Sequence, residues 1–222
     1  NYTKALELKP GNYKYTVGKA SSYRSLNDKT KALSAYEEAF KIKNSDKWLY
    51  TRIAEIAIEL GEFKKAADYA EQLIVKYKMN TEAYRKAAWC YIKLKEFQKA
   101  LDICNKVIDL EKYYHANHYY KALALDSMKN YTSANLDYVM AIKNLYSVEL
   151  DENKKVKPQF KSYFYDHAIC LNQLKDYTNA IKYFNTALDI DAKDVYEPKN
   201  YIVYYKRSQS YLGKEDYMNP LG

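Results

Sequence analysis

Two histidines, His115 and His118, lie three residues apart, a spacing that places both imidazole rings on one face of a helix. Such a pair can supply two nitrogen ligands to a zinc ion. A zinc site needs further ligands, and no cysteine or carboxylate follows at a spacing that completes the set. We therefore interpret His118 as a packed core histidine beside an exposed His115, and we expect no metal site.

Other side chains with reactive chemistry also lack the partners that catalysis requires. Cys90, Cys104 and Cys170 fall on the apolar side of helical patterns, so we interpret them as small buried hydrophobic residues and not as nucleophiles. The five glycines are isolated from one another, which argues against a glycine-rich phosphate loop. We expect no catalytic residue, no enzymatic activity and no cofactor.

The bulk composition favours a helical protein without a membrane span. The 222 residues include only five glycines and four prolines, which favours long regular helices. No apolar run approaches the roughly 18 residues that a transmembrane helix needs. Three cysteines cannot all pair within one chain, which favours a reducing, cytoplasmic location. The N-Y-T sequons at Asn1 and Asn130 would matter only in a secreted eukaryotic protein.

The elements that position these residues follow from a short motif that recurs along the chain. Copies of the form G-E-F-K-K-A or K-E-F-Q-K-A, with a looser first copy, end at Ala32, Ala66, Ala100, Ala134 and Ala180. The first four alanines are 34 residues apart, and the last step is longer. A fixed period in this range is typical of a solenoid, in which each unit buries its apolar face against its neighbours.

One repeat, residues 81–114, indicates what each unit contains. Apolar residues recur at spacings of three and four from Tyr84 to Leu94, and again from Phe97 to Ile108. Two such stripes separated by a short polar stretch predict a hairpin of two helices, each about 12–15 residues long. Alanines recur where the two helices should cross most closely, because a larger side chain there would cost about 1–3 kcal/mol.

The period, together with a small residue at the eighth position, an aromatic residue at the eleventh and alanine at the twentieth, resembles the tetratricopeptide repeat (TPR). The resemblance covers essentially the whole chain. It implies an all-α, right-handed α-solenoid of stacked antiparallel helix hairpins. It also implies a single array whose full repeats are residues 13–46, 47–80, 81–114, 115–148 and 161–194.

Four shorter segments complete this expected array. Residues 1–12 form the tail of a preceding repeat, and residues 201–222 form the first helix of a further or capping repeat, with Tyr204, Ser208 and Tyr211 at packing positions. Residues 149–160 and 195–200 are insertions, and the first of them is expected to form a helix extension and a loop. Because the chain has no initiator Met and begins inside a repeat, we expect it to be part of a longer protein.

The resemblance implies a non-catalytic scaffold that binds a peptide or protein segment in a concave groove lined by the first helix of each repeat. The groove residues expected to make contact are Trp48, Arg52, Arg85, Lys86, Trp89, Lys93, Tyr119 and Tyr120. Most of the net charge of +8 lies in the N-terminal half, which favours an acidic partner. In the alternative interpretation, Trp48 covers a neighbouring repeat and the arginines pair with nearby glutamates.

Some TPR proteins hold the acidic tails of heat-shock chaperones in a clamp of lysines and asparagines. The corresponding places here are Val17, Ser21, Arg52, Glu82 and Lys86, so the asparagines are missing and this partner is not favoured.

Two functions other than peptide binding stay open. The chain could be an assembly or oligomerisation module of a larger repeat protein, because the ends of an array expose apolar surface. Many of the 27 tyrosines fall on core positions, but a basic groove with interleaved aromatic side chains could instead bind single-stranded nucleic acid, although no base-recognition code is visible and the pattern does not favour it.

Overall fold

The computed structural model of the chain describes residues 2–148, 150, 152–190 and 199–218. Within these residues the regular structure is helical, apart from one isolated antiparallel bridge between Leu150 and Val156. The contacts divide the chain into two compact units, Asn1–Leu110 and Glu111–Gly222, called unit 1 and unit 2 below. No helix among the described residues is long and apolar enough to cross a membrane.

Unit 1 is a stack of helix hairpins. Its helices are α1 (Tyr2–Leu8), α2 (Tyr13–Ser25), α3 (Lys29–Ile42), α4 (Lys47–Glu59), α5 (Phe63–Lys76), α6 (Thr81–Lys93) and α7 (Phe97–Leu110). Helices α2 and α3, α4 and α5, and α6 and α7 pack as hairpins, while α3 packs on α4 and α5 packs on α6. The expected all-α fold of stacked hairpins is therefore confirmed.

Unit 2 repeats this arrangement of helix hairpins. Its helices are α8 (His115–Ser127), α9 (Tyr131–Val148), α10 (Lys161–Gln173), α11 (Tyr177–Asp189) and α12 (Asn200–Met218). Helix α9 has 18 residues, whereas α8, α10 and α11 each have 13. A short 3-10 turn at Pro158–Phe160 leads into α10. Residues 195–198 of the predicted second insertion lie outside the described residues.

The helix turns explain why the short motif recurs. The residues with positive φ at the turn inside each hairpin are Asn27, Gly61, Lys95, Lys129 and Lys175. In the third of these turns the Glu96 amide donates to the Tyr91 carbonyl at 2.9 Å, which satisfies a carbonyl at the end of the preceding helix. In the first and fifth turns an aspartate caps the helix that follows. Asp28 caps α3 and Asp176 caps α11, and the carboxylate of each accepts a backbone N–H.

The recurring alanines lie in the core as expected. Ala32, Ala66, Ala100, Ala134 and Ala180 are completely buried. Cys90, Cys104 and Cys170 are also buried, which agrees with their interpretation as core residues. Burial raises the pKa of Cys90 and of Cys170 to about 12, so neither thiol is ionised at neutral pH.

The expected packing register of α12 is wrong by two residues. The small, completely buried residue is Ser210, whose hydroxyl donates to the Asn172 side-chain oxygen at 2.8 Å. Ser208, Tyr204 and Tyr211 are exposed. The error has a physical reason: tyrosines lie on more than one face of α12, so the apolar periodicity does not single out the packed face.

Candidate functional site

The N-terminal end of α4 carries the first tryptophan of the candidate site in unit 1. Trp48 is 39% exposed and makes a T-shaped contact with Tyr36, with ring centroids 5.6 Å apart. The Arg52 guanidinium lies one turn further along, 5.4 Å from the centroid of the Trp48 ring, at a distance typical of a cation–π contact. Trp48 therefore covers part of its neighbour, as the alternative interpretation proposed, yet keeps an exposed face beside a cation.

Glu55 connects three successive first helices through ion pairs. Its carboxylate accepts from Arg52 Nη1 at 2.7 Å, and it lies 3.9 Å from Arg24 Nη2 on α2 and 3.6 Å from Lys86 Nζ on α6. The alternative that the arginines pair with nearby glutamates is thus observed for Arg52, and Lys86 pairs in the same way. Counting along the first helices also places Glu55 on the lining of the concave face, but Glu55 is not among the expected contact residues; its position three residues after Arg52 is the signal for this ion pair.

Helix α6 carries the second tryptophan. Trp89 is partly exposed, and the Lys93 ammonium group lies 4.2 Å from its ring centroid. Arg85 is also partly exposed on this helix. Lys86 forms an ion pair with Glu82, which holds the pKa of that carboxyl below its usual range, and the charge of Arg85 acts in the same direction. Cations and a partly exposed aromatic ring therefore alternate along one helix.

The first-helix face of unit 1 is less basic than the sequence suggested. We define this face by the side chains of α2, α4 and α6 that these contacts join. Glu59 lies 3.9 Å from Arg24 of this face and also pairs at 3.0 Å with Lys29, the first residue of α3. Together with Glu55 and Glu82 it partly neutralises the cations of the face. The positive charge of this face is consequently local and, at Arg52 and Lys86, already shared with glutamates, so the face is not uniformly basic.

Tyr119, expected as an exposed aromatic anchor, is buried in unit 2. Its ring stacks on Tyr163 with centroids 3.8 Å apart, and its hydroxyl donates to Asp166 Oδ2 at 2.5 Å. Only 7% of the residue is exposed, and burial raises its pKa well above the usual value. The expectation that Tyr119 is available to a partner is therefore wrong. Tyr120 is partly exposed and lies beside it, with ring centroids 5.8 Å apart.

The histidine pair is also placed differently from the prediction. His118 is buried as expected, and its Nδ1 lies 2.8 Å from Asp137 Oδ1. His115 is buried too, because Phe160 covers it at a centroid distance of 5.0 Å and its Nδ1 lies 2.9 Å from the Tyr163 hydroxyl. The described residues contain no group of three or more metal-ligating side chains.

Comparison with known proteins identifies the repeats. A tetratricopeptide-repeat family model matches residues 51–115, and a second matches residues 14–46 and 162–194, so that the two together account for more than half of the chain. A TPR repeat-containing protein of Methanocaldococcus jannaschii is 24% identical over 96% of this chain. Human sperm-associated antigen 1 is 34% identical over 42% of it. The chain spans 37% of the length of the first relative and 10% of the second.

Solved structures share the fold at low sequence identity. A MamA crystal structure has a TM-score of 0.65 and 20% identity, over 80% of this chain and 90% of MamA. YrrB, described as a TPR protein with an unusual peptide-binding site, has a TM-score of 0.63 and 16% identity, over 93% and 97% of the two chains. A chain of the Cut9–Hcn1 complex has a TM-score of 0.72 and 13% identity, over 96% of this chain and 39% of that one.

Proposed function

The chain belongs to the tetratricopeptide-repeat family, and we propose that it is a non-catalytic scaffold that binds a protein segment on the first-helix face of unit 1. TPR proteins generally mediate protein–protein interactions and are generally not enzymes. The finer assignment, to this face and to an acidic or mixed acidic and aromatic segment, is our proposal.

One observation carries the proposal: each of the two tryptophans keeps an exposed part and has a cation over its ring. The Arg52 guanidinium lies 5.4 Å from the Trp48 ring, and the Lys93 ammonium lies 4.2 Å from the Trp89 ring. Tryptophan and arginine are enriched among the residues that dominate binding energies at protein interfaces. The ring offers an apolar contact to a partner, and the cation beside it can donate a charge-assisted hydrogen bond. The two interactions lie close enough together to be made by neighbouring side chains of the partner.

The chemistry of the partner follows from these side chains. A carboxylate of the partner would accept from Arg52 or Lys86, and an aliphatic or aromatic side chain would pack on the exposed part of Trp89. Because α4 and α6 belong to successive hairpins, an extended segment or a regular helix could contact both, and we propose a segment of this kind.

The test is quantitative capture of partners from a lysate of the source organism. We expect the parent chain to retain a protein that Trp89→Ala loses. The matched control is Tyr113→Ala, which removes another exposed aromatic ring, in the segment between α7 and α8, and should leave capture unchanged. Circular dichroism confirms that both variants fold. Equal capture by the parent and by Trp89→Ala would contradict the proposal, and capture that nuclease abolishes would favour nucleic-acid binding instead.

Self-association is a second candidate, favoured by the surface of α12. Tyr201, Tyr205 and Leu212 are each 60% or more exposed on this helix, and the occupant we propose is a second copy of the chain. Light scattering over a dilution series should show an average mass that falls on dilution in the parent and is constant and monomeric in Tyr205→Ser/Leu212→Ser. A monomeric parent at every concentration would exclude this candidate.

A further inference from the structure

One carboxylate in the candidate site is held by three cations at once. Arg24, Arg52 and Lys86 come from the first helices of three successive hairpins, and all three lie within 3.9 Å of Glu55. Glu55 is therefore placed where a carboxylate of an acidic partner would be bound most strongly.

The carboxylate of Glu55 can be replaced by another carboxylate in these ion pairs. Its side chain is 26% exposed, those of Arg24 and Arg52 are 35% and 33% exposed, and that of Lys86 is 18% exposed, so water reaches these ion pairs, least of all the one with Lys86. Ion pairs with this exposure stabilise a folded protein only weakly, because water solvates the separated charges almost as well. A second carboxylate brought close by neighbouring contacts can therefore replace Glu55 at Arg52 or Lys86 without unfolding the helices.

We propose that Glu55 is an internal competitor that sets the specificity of this site for strongly acidic segments. The proposal rests on the function proposed above. In the unbound chain Glu55 occupies the cations and repels a partner's carboxylate. A segment with one isolated acidic residue gains little by replacing it, whereas a segment with several acidic residues can engage Arg24, Arg52 and Lys86 together. Glu55 therefore lowers the affinity for all acidic segments and suppresses the binding of weakly acidic ones most.

Glu55→Gln tests this directly, with Glu37→Gln as the matched control. Glu37 pairs with Lys65 on the second helices α3 and α5, and its side chain is 26% exposed, as that of Glu55 is. Both substitutions raise the net charge by the same amount and remove one ion-paired carboxylate. They differ in whether that carboxylate lies in the candidate site and in the cations it contacts, which are Arg24, Arg52 and Lys86 for Glu55 and Lys65 for Glu37.

The probe is a fluorescein-labelled, glutamate-rich peptide with one central phenylalanine, and fluorescence anisotropy measures its affinity. We expect Glu55→Gln to bind it about fivefold more tightly than the parent does, because a negative charge close to the bound carboxylates is removed. Glu37→Gln should change the affinity less than twofold. A matched peptide with glutamine in place of glutamate should show no gain, and about 0.5 M salt should remove most of the difference.

The outcomes separate the competitor from the site itself. If Glu55→Gln binds no more tightly than Glu37→Gln while Arg52→Gln weakens binding, Glu55 is only a brace between helices, and the inference fails while the proposed function stands. If Arg52→Gln, Lys86→Gln and Trp89→Ala all bind as the parent does, the proposed function fails and the inference falls with it. If Glu55→Gln does not fold, Glu55→Asp replaces it, since its shorter side chain withdraws the carboxylate and should give a smaller gain.

Discussion

Acid should destabilise unit 2 through a single buried histidine. The His167 ring lies between Tyr138 and Tyr183, with centroid distances of 5.5 and 4.3 Å, and its Nε2 donates to Asn135 Oδ1 at 2.6 Å. Only 1% of the residue is exposed. Burial lowers its pKa from 6.5 to about 4, because the charged imidazolium would lose its hydration.

The sign and size of the effect follow from this pKa. Between about pH 6.5 and pH 4 the unfolded chain binds a proton at His167 that the folded chain does not, so stability falls as the pH falls through this window. The loss should reach about 2 kcal/mol at pH 5 and about 3 kcal/mol below pH 4, at 1.36 kcal/mol for each pKa unit. Above pH 7 the histidine contributes no pH dependence.

Urea denaturation of the parent and of His167→Gln, at intervals from pH 7 to pH 4, measures this effect. The variant should be less stable than the parent at pH 7, because it loses ring packing in the core. Its stability should nevertheless fall by about 3 kcal/mol less over the pH range, since the other titrating groups are shared by both proteins. Parallel pH profiles for the two proteins would show that His167 has the same pKa in the folded and unfolded chains and would refute the reasoning.

The remaining predictions concern the helix turns and the thiols. Lys95→Gly and Lys129→Gly should each raise the free energy of unfolding by up to about 1 kcal/mol in urea denaturation, because both lysines have a left-handed φ of 61° that glycine adopts without strain. Gly61→Lys should lower the free energy of unfolding by a similar amount. A loss of stability in Lys95→Gly and Lys129→Gly would contradict this account. Cys90 and Cys170 should not react with a thiol reagent in the folded protein at pH 8, because both are buried with a pKa of about 12. Fast labelling before unfolding would show that the core opens locally.

The fold could be predicted from the sequence because the residues that specify each hairpin are close together in the sequence and recur in every repeat. Each copy of the motif places an alanine at the crossing of two helices, and Ala66 and Ala100 are completely buried. The turn before each copy needs a residue that tolerates positive φ, and the chain repeats that position at Gly61 and Lys95. Five copies of the same local pattern make the assignment of stacked hairpins independent of any single residue.

The tertiary structure decided which of the predicted contact residues are accessible and which are paired. Tyr119 is expected at the surface from its position on α8, but Tyr163, more than forty residues later, stacks on it. Glu55 neutralises Arg24 and Lys86, which belong to other repeats. Helical periodicity determines which face of a helix a side chain occupies. Whether that face is then covered or neutralised depends on side chains from helices remote in sequence, and only their packing in three dimensions specifies them.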